Sequence, residues 1–477
     1  MQLCRHGYKS RNTGHDVLSF LFLSTDHKTI GWLYFALAII GGVAGFALSV
    51  WLRVALEGQG VLYTSMNGAM QFRSAHAQFM IFFMLLPALF GGFGNWLLPL
   101  MLGVGNVAFA RLNRLAFWLF ALGFALFIVV QLSAGSGAVN HTVTAVLLCL
   151  VLYAGVISLV LQAVNFIVTI LVMRPPVIRF QDCPPFVWAV LITSGLLLFY
   201  LPVMLGWGSL ALWRGGAAQQ WFIHWQDMLN HPELYVLLLP VFGIISHIVT
   251  TFSRSPLYGQ KYVIAVMAFI GLAGFALWAQ TIFAGRDLEQ IKTWLAISPL
   301  LIGLPMLFLT LSWLVTMSGK PVTWQVPMLW AGGCLFSLVA GIGLMADLVW
   351  KVSLTGLPLS FMLHVHYVLS LSAVFALCAG WYFWFPKMAG LQIRVTTGML
   401  HFWLMFIAAQ LLFLPLGMAK TGSMLAACSV GVFIYGIVEA FVRGIPAGDN
   451  PWGEGATTLE WQLSSPPQVV NAQGRPA

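Results

Sequence analysis

The apolar run LPLSFMLHVHYVLSLSAVFALCAGWYFWF, residues 357–385, is long enough to cross a membrane and contains His364 and His366. A helix turns by about 100° per residue, so side chains two residues apart point to nearly opposite faces. The two imidazoles therefore cannot bind one metal ion side by side. They can face two metal centres, such as two hemes, on either side of the helix. The alternative is a pair of hydrogen-bonded core histidines.

The composition is typical of a polytopic membrane protein. Of 477 residues, 60% are hydrophobic and 7% are charged, and the mean hydropathy is +0.90, whereas soluble proteins carry about 25% charged residues. The net charge of +9 does not indicate nucleic-acid binding, because the basic residues lie in short loops between apolar segments. The six cysteines are scattered, so neither a disulfide framework nor a thiolate metal site is predicted.

Runs of about 20 apolar residues predict an all-α bundle of about twelve transmembrane helices in a lipid bilayer. The predicted spans lie near 30–56, 76–103, 113–136, 142–173, 186–211, 232–253, 261–285, 292–318, 323–350, 357–385, 396–418 and 422–443. An even number of spans places both termini on one side. If that side is the cytoplasm, the inner loops hold about twice as many Lys and Arg residues as the outer loops, which predicts cytoplasmic termini.

The chain divides into three regions. Residues 1–29 form an N-terminal segment that lacks the features of a cleaved signal peptide. Residues 30–443 form the transmembrane domain. Residues 444–477 are rich in Pro, Gly, Gln and Ser, which predicts a flexible polar tail without a packed core.

Other polar residues within the apolar spans are candidates for the same site. His76 opens the second predicted span, and a six-coordinate heme bound to His366 needs a second axial ligand, for which imidazole is a common choice. The sixth predicted span begins with HPELY, in which His231 and Tyr235 share a helix face and Glu233 points elsewhere and can carry protons. The alternative for each residue is a capping or interfacial role.

Several stretches together resemble subunit I of the heme–copper oxidase superfamily, in its cytochrome c oxidase branch. These stretches are STDHKTIG (24–31), PALFGGFGNW (87–96), AFARLN (108–113), HPELY (231–235), HVHYVL (364–369) and AGWYFWFPKM (379–388). The resemblance extends over about residues 16–443. It implies a membrane oxidoreductase that transfers electrons through two hemes to a small gas such as oxygen, and we expect it in a bacterial-type plasma (inner) membrane.

The resemblance implies heme-binding roles residue by residue. His76 and His366 would be the axial ligands of a low-spin heme, and Arg53 would contact a substituent of that heme's ring. His364 would bind a high-spin heme on the opposite face of the helix, in agreement with the spacing argument. The heme type stays open, with heme A as one candidate.

The resemblance also implies a copper site, a proton route and partners. His231 would be one of three histidines on a copper ion, and Tyr235 the redox-active tyrosine cross-linked to it. Glu233 would be a proton branch point supplied by a polar channel that passes Asn95. The implied partners are a subunit II-like electron-entry protein, a subunit III-like protein and cytochrome c as a candidate donor.

The sequence departs from the family at the copper site. The segment WAQTIF, residues 278–283, has Gln280 and Thr281 where the family has adjacent histidines. An amide oxygen and a hydroxyl are poor substitutes for imidazole as copper ligands, so we expect copper occupancy to be low.

Further departures affect the proton routes and the other cofactor contacts. Asn106 replaces the channel-mouth aspartate, and Leu309 replaces the lysine of the eighth helix. Gly356-Leu357 replace the His-Asp pair that helps to bind a structural magnesium, and only Lys420-Thr421 lie near the position of the arginine pair that holds heme propionates.

Three functions stay open at this point: a divergent oxygen-reducing subunit I, a diheme enzyme of nitric oxide reductase type, and a heme protein for electron transfer, sensing or assembly without turnover. A transporter is a fourth possibility of a different class, but no inverted repeat is visible in the sequence.

Overall fold

A computed structural model describes residues 22–57, 66–136, 141–213, 232–283, 288–355, 366–413 and 418–468. Within these ranges the chain forms twelve helices, numbered α1–α12, one for each predicted span. The first six are α1 (His27–Glu57), α2 (residues 66–102), α3 (Ala110–Ser136), α4 (His141–Val172), α5 (Pro185–Trp213) and α6 (Pro232–Ser253). The others are α7 (Gln260–Phe283), α8 (Leu288–Met317), α9 (Val326–Thr355), α10 (residues 366–389), α11 (Val395–Phe413) and α12 (Ala419–Arg443).

The described residues confirm the all-α prediction, since their only β-type pairing is an isolated bridge between Leu391 and Pro446. Nine of the helices, α1–α5, α7, α9, α11 and α12, are long and apolar enough to cross a membrane, and α6 and α8 contain the shorter apolar stretches Leu237–Ser253 and Leu301–Met317. In the sequences of α5, α7 and α8 the apolar residues are spread over all faces of the helix, as expected for helices between lipid and other helices.

Helix α2 begins about ten residues before its predicted start, because residues 66–75 mix polar and apolar residues and contain no continuous apolar run. It consists of α-helical Met66–Met80, π-helical Ile81–Leu85 and Pro87–Gly92, and α-helical Phe93–Leu102. Pro87 has no N–H and cannot bond to the carbonyl four residues back, so the backbone relaxes into wider turns around it. Helix α10 likewise begins with a π-helical segment, His366–Leu371, before α-helical Ser372–Ala389.

Residues 444–468 pack across one end of the bundle, and we call them the C-terminal strap. Trp461 is 3% exposed and Glu460 is fully buried. The Lys387 ammonium of α10 donates hydrogen bonds to the strap carbonyls of Asp449 at 2.8 Å, Leu463 at 2.5 Å and Ser464 at 3.4 Å. The prediction of a tail without a packed core is therefore wrong for residues 444–468. Residues 469–477 lie outside the described residues.

The tail prediction failed because the strap contributes few apolar residues and takes most of its buried contacts from the helices. Trp452 Nε1 donates to the Phe383 carbonyl at 3.0 Å, and the Trp384 indole donates to Glu460 at 3.3 Å. The amino-acid composition shows that the strap is polar, but it does not show the surface of the helices against which the strap packs. Lys28, at the start of α1, donates to the Pro467 carbonyl at 3.0 Å. The start of α1 and the strap therefore share one face of the bundle.

The strap is expected to make stability depend on pH through Glu460. Burial raises the pKa of this carboxyl above its ordinary value of 4.5, although hydrogen bonds from Thr458 and Trp384 and the charge of Lys387 oppose the shift. The folded protein then binds the proton more tightly than the unfolded chain, so stability falls as pH rises from 4.5 through the raised pKa. Glu460→Gln should remove this pH dependence.

Hydrogen exchange of residues 457–463, followed against pH in the purified protein, measures this effect. The strap of the unmodified protein should exchange faster as pH rises, after correction for intrinsic exchange rates, and the strap of Glu460→Gln should not. Glu454→Gln, which changes an exposed strap carboxyl, is the control. Equal pH dependence in the Glu460→Gln and Glu454→Gln variants would show that the strap does not titrate through Glu460.

Candidate functional site

His76 lies on α2 with its ring oriented by α1. The Nδ1 atom of His76 is 2.7 Å from the carbonyl oxygen of Gly45. A carbonyl oxygen only accepts hydrogen bonds, so Nδ1 carries the proton and the lone pair of the ring is on Nε2. Histidines that bind metals usually donate their second N–H to a carbonyl or carboxylate in this way. The tautomer and the fixed ring fit an axial ligand to heme iron.

The other predicted ligands and catalytic residues are described only in part. His366 is the first residue of the π-helical segment of α10, at a type of helix defect that is frequent at functional sites. For five other predicted site residues the structure describes the helical backbone but not the side chain. These residues are Arg53, Glu233, Tyr235, Gln280 and Thr281. His231, His364 and Gly356-Leu357 lie outside the described residues.

The side chains that the structure describes contain no group of three or more His, Cys, Asp or Glu residues able to hold a metal ion. The predicted copper ligand His231 is not among them, so this finding does not bear on the copper site. Lys420 and Thr421 are exposed in the first turn of α12.

A chain of buried polar groups links the start of α1 to the C-terminal third of α2. The Asn113 amide donates to Asn95 Oδ1 at 2.5 Å, and Asn95 Nδ2 donates to the Gly91 carbonyl at 2.7 Å. His27 Nδ1 donates to the Asn95 carbonyl at 2.7 Å. Both asparagines are fully buried. The structure thus places the predicted channel residue Asn95 in a polar network.

Asn106, at the predicted channel mouth, has both ends of its amide engaged. Its Nδ2 donates to the Thr25 carbonyl at 3.1 Å, and its Oδ1 accepts from the Val107 N–H at 2.8 Å. Asn106 lies in the loop between α2 and α3. Asn165 of α4 binds the same loop, since its Oδ1 accepts a hydrogen bond from the Phe109 N–H at 2.8 Å. The amide therefore supports the loop and cannot release a proton.

A cavity of about 80 Å³ lies among α1–α5, and its polar lining includes Tyr34, Ser158 and Gln162. The Tyr34 hydroxyl faces Ser158 and Gln162 without meeting hydrogen-bond geometry, and Gln162 Nε2 is buried with no bonded partner among the described atoms. The rest of the lining is almost entirely apolar, and buried polar atoms of this kind usually bond to water, for which the cavity has room. These residues were not predicted from the sequence, although a polar side chain within an apolar span was the signal that pointed to His76.

Leu309 of α8 is fully buried beside Met306, so the predicted position of the family lysine is closed by apolar side chains. One turn along α8, the Trp313 indole donates to Ser246 Oγ at 3.0 Å. No group at Leu309 can take up a proton.

Two further buried histidines were not singled out from the sequence. His247 of α6 lies with its ring centre 5.7 Å from that of Trp384. His401 of α11 has its Nδ1 2.9 Å from the Tyr382 hydroxyl. Both carry the signal used for His364 and His366, an imidazole within an apolar span.

Comparison with known proteins identifies the family that this chain resembles over nearly its whole length. A family model described as Cytochrome C and Quinol oxidase polypeptide I matches residues 29–439. Cytochrome c oxidase subunit 1 of Cereibacter sphaeroides is 31% identical, with 97% of this chain and 95% of the relative aligned. Cytochrome c oxidase subunit 1 of Yarrowia lipolytica (strain CLIB 122 / E 150) is 33% identical, with 94% of this chain and 96% of the relative aligned.

The hydrogen bond from Asn113 Nδ2 to Asn95 Oδ1 is expected to stabilise the bundle, because it gives a buried amide oxygen a donor. Asn113→Leu leaves Asn95 Oδ1 buried without a donor, which should cost about 1–3 kcal/mol. Asn95→Leu combined with Asn113→Leu should cost less than the sum of the single changes, because neither amide is then left alone. Unfolding in detergent measures the three free energies. Strict additivity would contradict the coupling.

Proposed function

This chain belongs to the Cytochrome C and Quinol oxidase polypeptide I family, and on that basis we propose that it is a divergent subunit I that transfers electrons through two hemes to a small gas such as oxygen. Membership makes it an integral membrane protein with heme–copper oxidase function in respiratory electron transport. The family generally binds hemes and copper, and its subunit I normally assembles with subunit II and other subunits.

The observation that carries the proposal is the oriented ring of His76. Its Nδ1 donates to Gly45, so Nε2 has the lone pair that an axial ligand needs. In this proposal His76 and His366 hold a low-spin heme that Arg53 contacts, and His364 holds a high-spin heme on the opposite side of the predicted span 357–385. The hemes, when bound, supply electron transfer and one open coordination position for the gas.

We further propose that the copper site is degenerate. Imidazole nitrogens bind copper far better than an amide oxygen or a hydroxyl, and only His231 remains where the family has three histidines. Tyr235 and Glu233, on the first turns of α6, would then provide an electron and a proton without a fully occupied second metal site.

The structure supports proton delivery along the route that passes Asn95 but not along the route that would pass Leu309. The Asn95–Asn113 pair and the cavity at Tyr34 and Gln162 offer polar groups and room for water between α1 and α5. Asn106 at the mouth of this route is neutral and engaged, and Leu309 closes the second route. We therefore propose protein-assisted proton supply without efficient proton pumping.

A nitric oxide reductase-like diheme enzyme is the second candidate, because the loss of two imidazoles at the second metal site argues for changed chemistry. A heme protein without turnover, acting in electron transfer, sensing or assembly, is the third. Steady-state consumption of oxygen and of nitric oxide by the purified protein distinguishes the three.

The proposed partners are a subunit II-like electron-entry protein, a subunit III-like protein and cytochrome c as donor. The contact of Lys28 with Pro467 supports termini on one side of the membrane, and the bias of Lys and Arg towards that side favours the cytoplasmic face of a bacterial-type plasma membrane.

The low-spin heme assignment predicts the spectrum of a ligand variant. His366→Ala removes one axial nitrogen, so the low-spin band in the reduced-minus-oxidised optical spectrum should disappear or become high-spin. Tyr367→Phe changes the adjacent residue, whose hydroxyl donates to Gln410 at 3.1 Å, and should retain the band. An unchanged spectrum for His366→Ala would show that the ligand is misassigned. Absence of any heme band in the unmodified protein would overturn the proposed function.

The copper assignment predicts the metal content. The purified protein should contain two iron atoms per chain and well under one copper atom, by elemental analysis. Gln280→His combined with Thr281→His should raise copper towards one per chain, because two imidazoles are restored. Gln280→Asn combined with Thr281→Ser, which adds none, should not. A full equivalent of tightly bound copper in the unmodified protein contradicts the degenerate site.

A further inference from the structure

Helices α1 and α2 approach each other along Gly41, Gly42 and Gly45 of α1. A Cβ atom on Gly41 would lie 2.4 Å from the Phe83 carbonyl oxygen, and one on Gly45 would lie 2.9 Å from Phe79 Cβ. Side chains do not tolerate such distances, so only glycine allows the two backbones to come this close. Small residues serve the same purpose at helix contacts in membranes generally.

This close approach brings the Gly45 carbonyl to His76. The oxygen has two lone pairs, so it can accept from His76 Nδ1 in addition to its bond within α1. The acceptor belongs to the backbone of a helix rather than to a flexible side chain. The position of the His76 ring is therefore set by the packing of α1 on α2.

We propose that Gly45 is a positioning residue for His76, an inference that rests on the proposed role of His76 as an axial ligand. Its carbonyl keeps the proton on Nδ1 and holds the ring in one orientation. A hydrogen bond accepted from Nδ1 raises the basicity of Nε2. A more basic ligand stabilises ferric over ferrous iron, so the bond lowers the midpoint potential of the low-spin heme.

Gly45→Ala tests this role, because the new methyl group meets Phe79 Cβ at 2.9 Å and Met80 Sδ at 3.0 Å. Phe79 Cβ is attached directly to the α2 backbone, so the helices must separate and the bond to His76 must lengthen. The low-spin spectrum should persist. The preference for ferric iron should fall by about tenfold, which raises the midpoint potential by about 59 mV for one electron in a redox titration of the low-spin band.

Gly42→Ala is the matched control. Its methyl group meets Met84 Sδ at 2.7 Å, the mobile end of a flexible side chain, so α2 can keep its place and the potential should not change. Equal potentials in the two glycine variants would overturn the positioning role of Gly45.

His76→Ala separates this inference from the proposed function. If that variant keeps the low-spin spectrum, His76 is not a ligand and the proposed function fails at this point. If the spectrum is lost but Gly45→Ala has an unchanged potential, the ligand is right and the positioning role is wrong.

A measurement on the unmodified protein covers the case in which Gly45→Ala does not fold. Electron–nuclear double resonance on the low-spin ferric signal detects the Nδ1 proton of His76. That proton should exchange slowly in deuterated solvent, because the Gly45 carbonyl binds it between two packed helices. Exchange as fast as that of a solvent-bonded imidazole contradicts the proposal.

Discussion

A chain that crosses a bilayer has no water to bond to its backbone, and the arrangement of this protein depends on that constraint. Each crossing segment must satisfy its own N–H and carbonyl groups, which makes it a helix. Where the row of backbone hydrogen bonds along a helix is interrupted, as at Pro87, the backbone forms wider π-helical turns and stays helical. The carbonyl that binds His76 is possible for the same reason, since Gly45 is held by an intact helix that lies against α2.

The same constraint governs the side chains. Asn113 donates to Asn95 within the bundle, and Asn106 bonds to Thr25 and Val107 at its edge. The side chain of Leu309 has no polar atom and is fully buried. These two kinds of environment distinguish the two proposed proton routes, because a path for protons needs polar groups or water at each step. Polar groups of the proposed first route lie inside the bundle, whereas the proposed second route meets the buried apolar side chain of Leu309.

Buried polar groups also find hydrogen-bond partners in the C-terminal strap, outside the membrane helices. Lys387 is a cation fully enclosed at the end of α10, and three strap carbonyls take up its three hydrogens. Glu460 lies close enough to favour that charge and accepts from Trp384. Without the strap the Lys387 ammonium would lack these hydrogen-bond acceptors, and without Lys387 these strap carbonyls would lack this donor. The end of the bundle and the polar segment after it therefore form one packed unit.

The sequence by itself determined the helices, because about 20 apolar residues in a row have one stable form in a bilayer. It also drew attention to His76, a polar group at the start of an apolar span, whereas Asn95 was proposed only from the family resemblance. Only the tertiary structure decided which partner each polar group meets. The Gly45–His76 bond joins positions 31 residues apart, and the Lys387–Leu463 bond joins positions 76 apart. The packing of the strap and the cavity at Gln162 stayed hidden for the same reason: hydropathy is a local property, whereas burial depends on distant segments that fold onto each other.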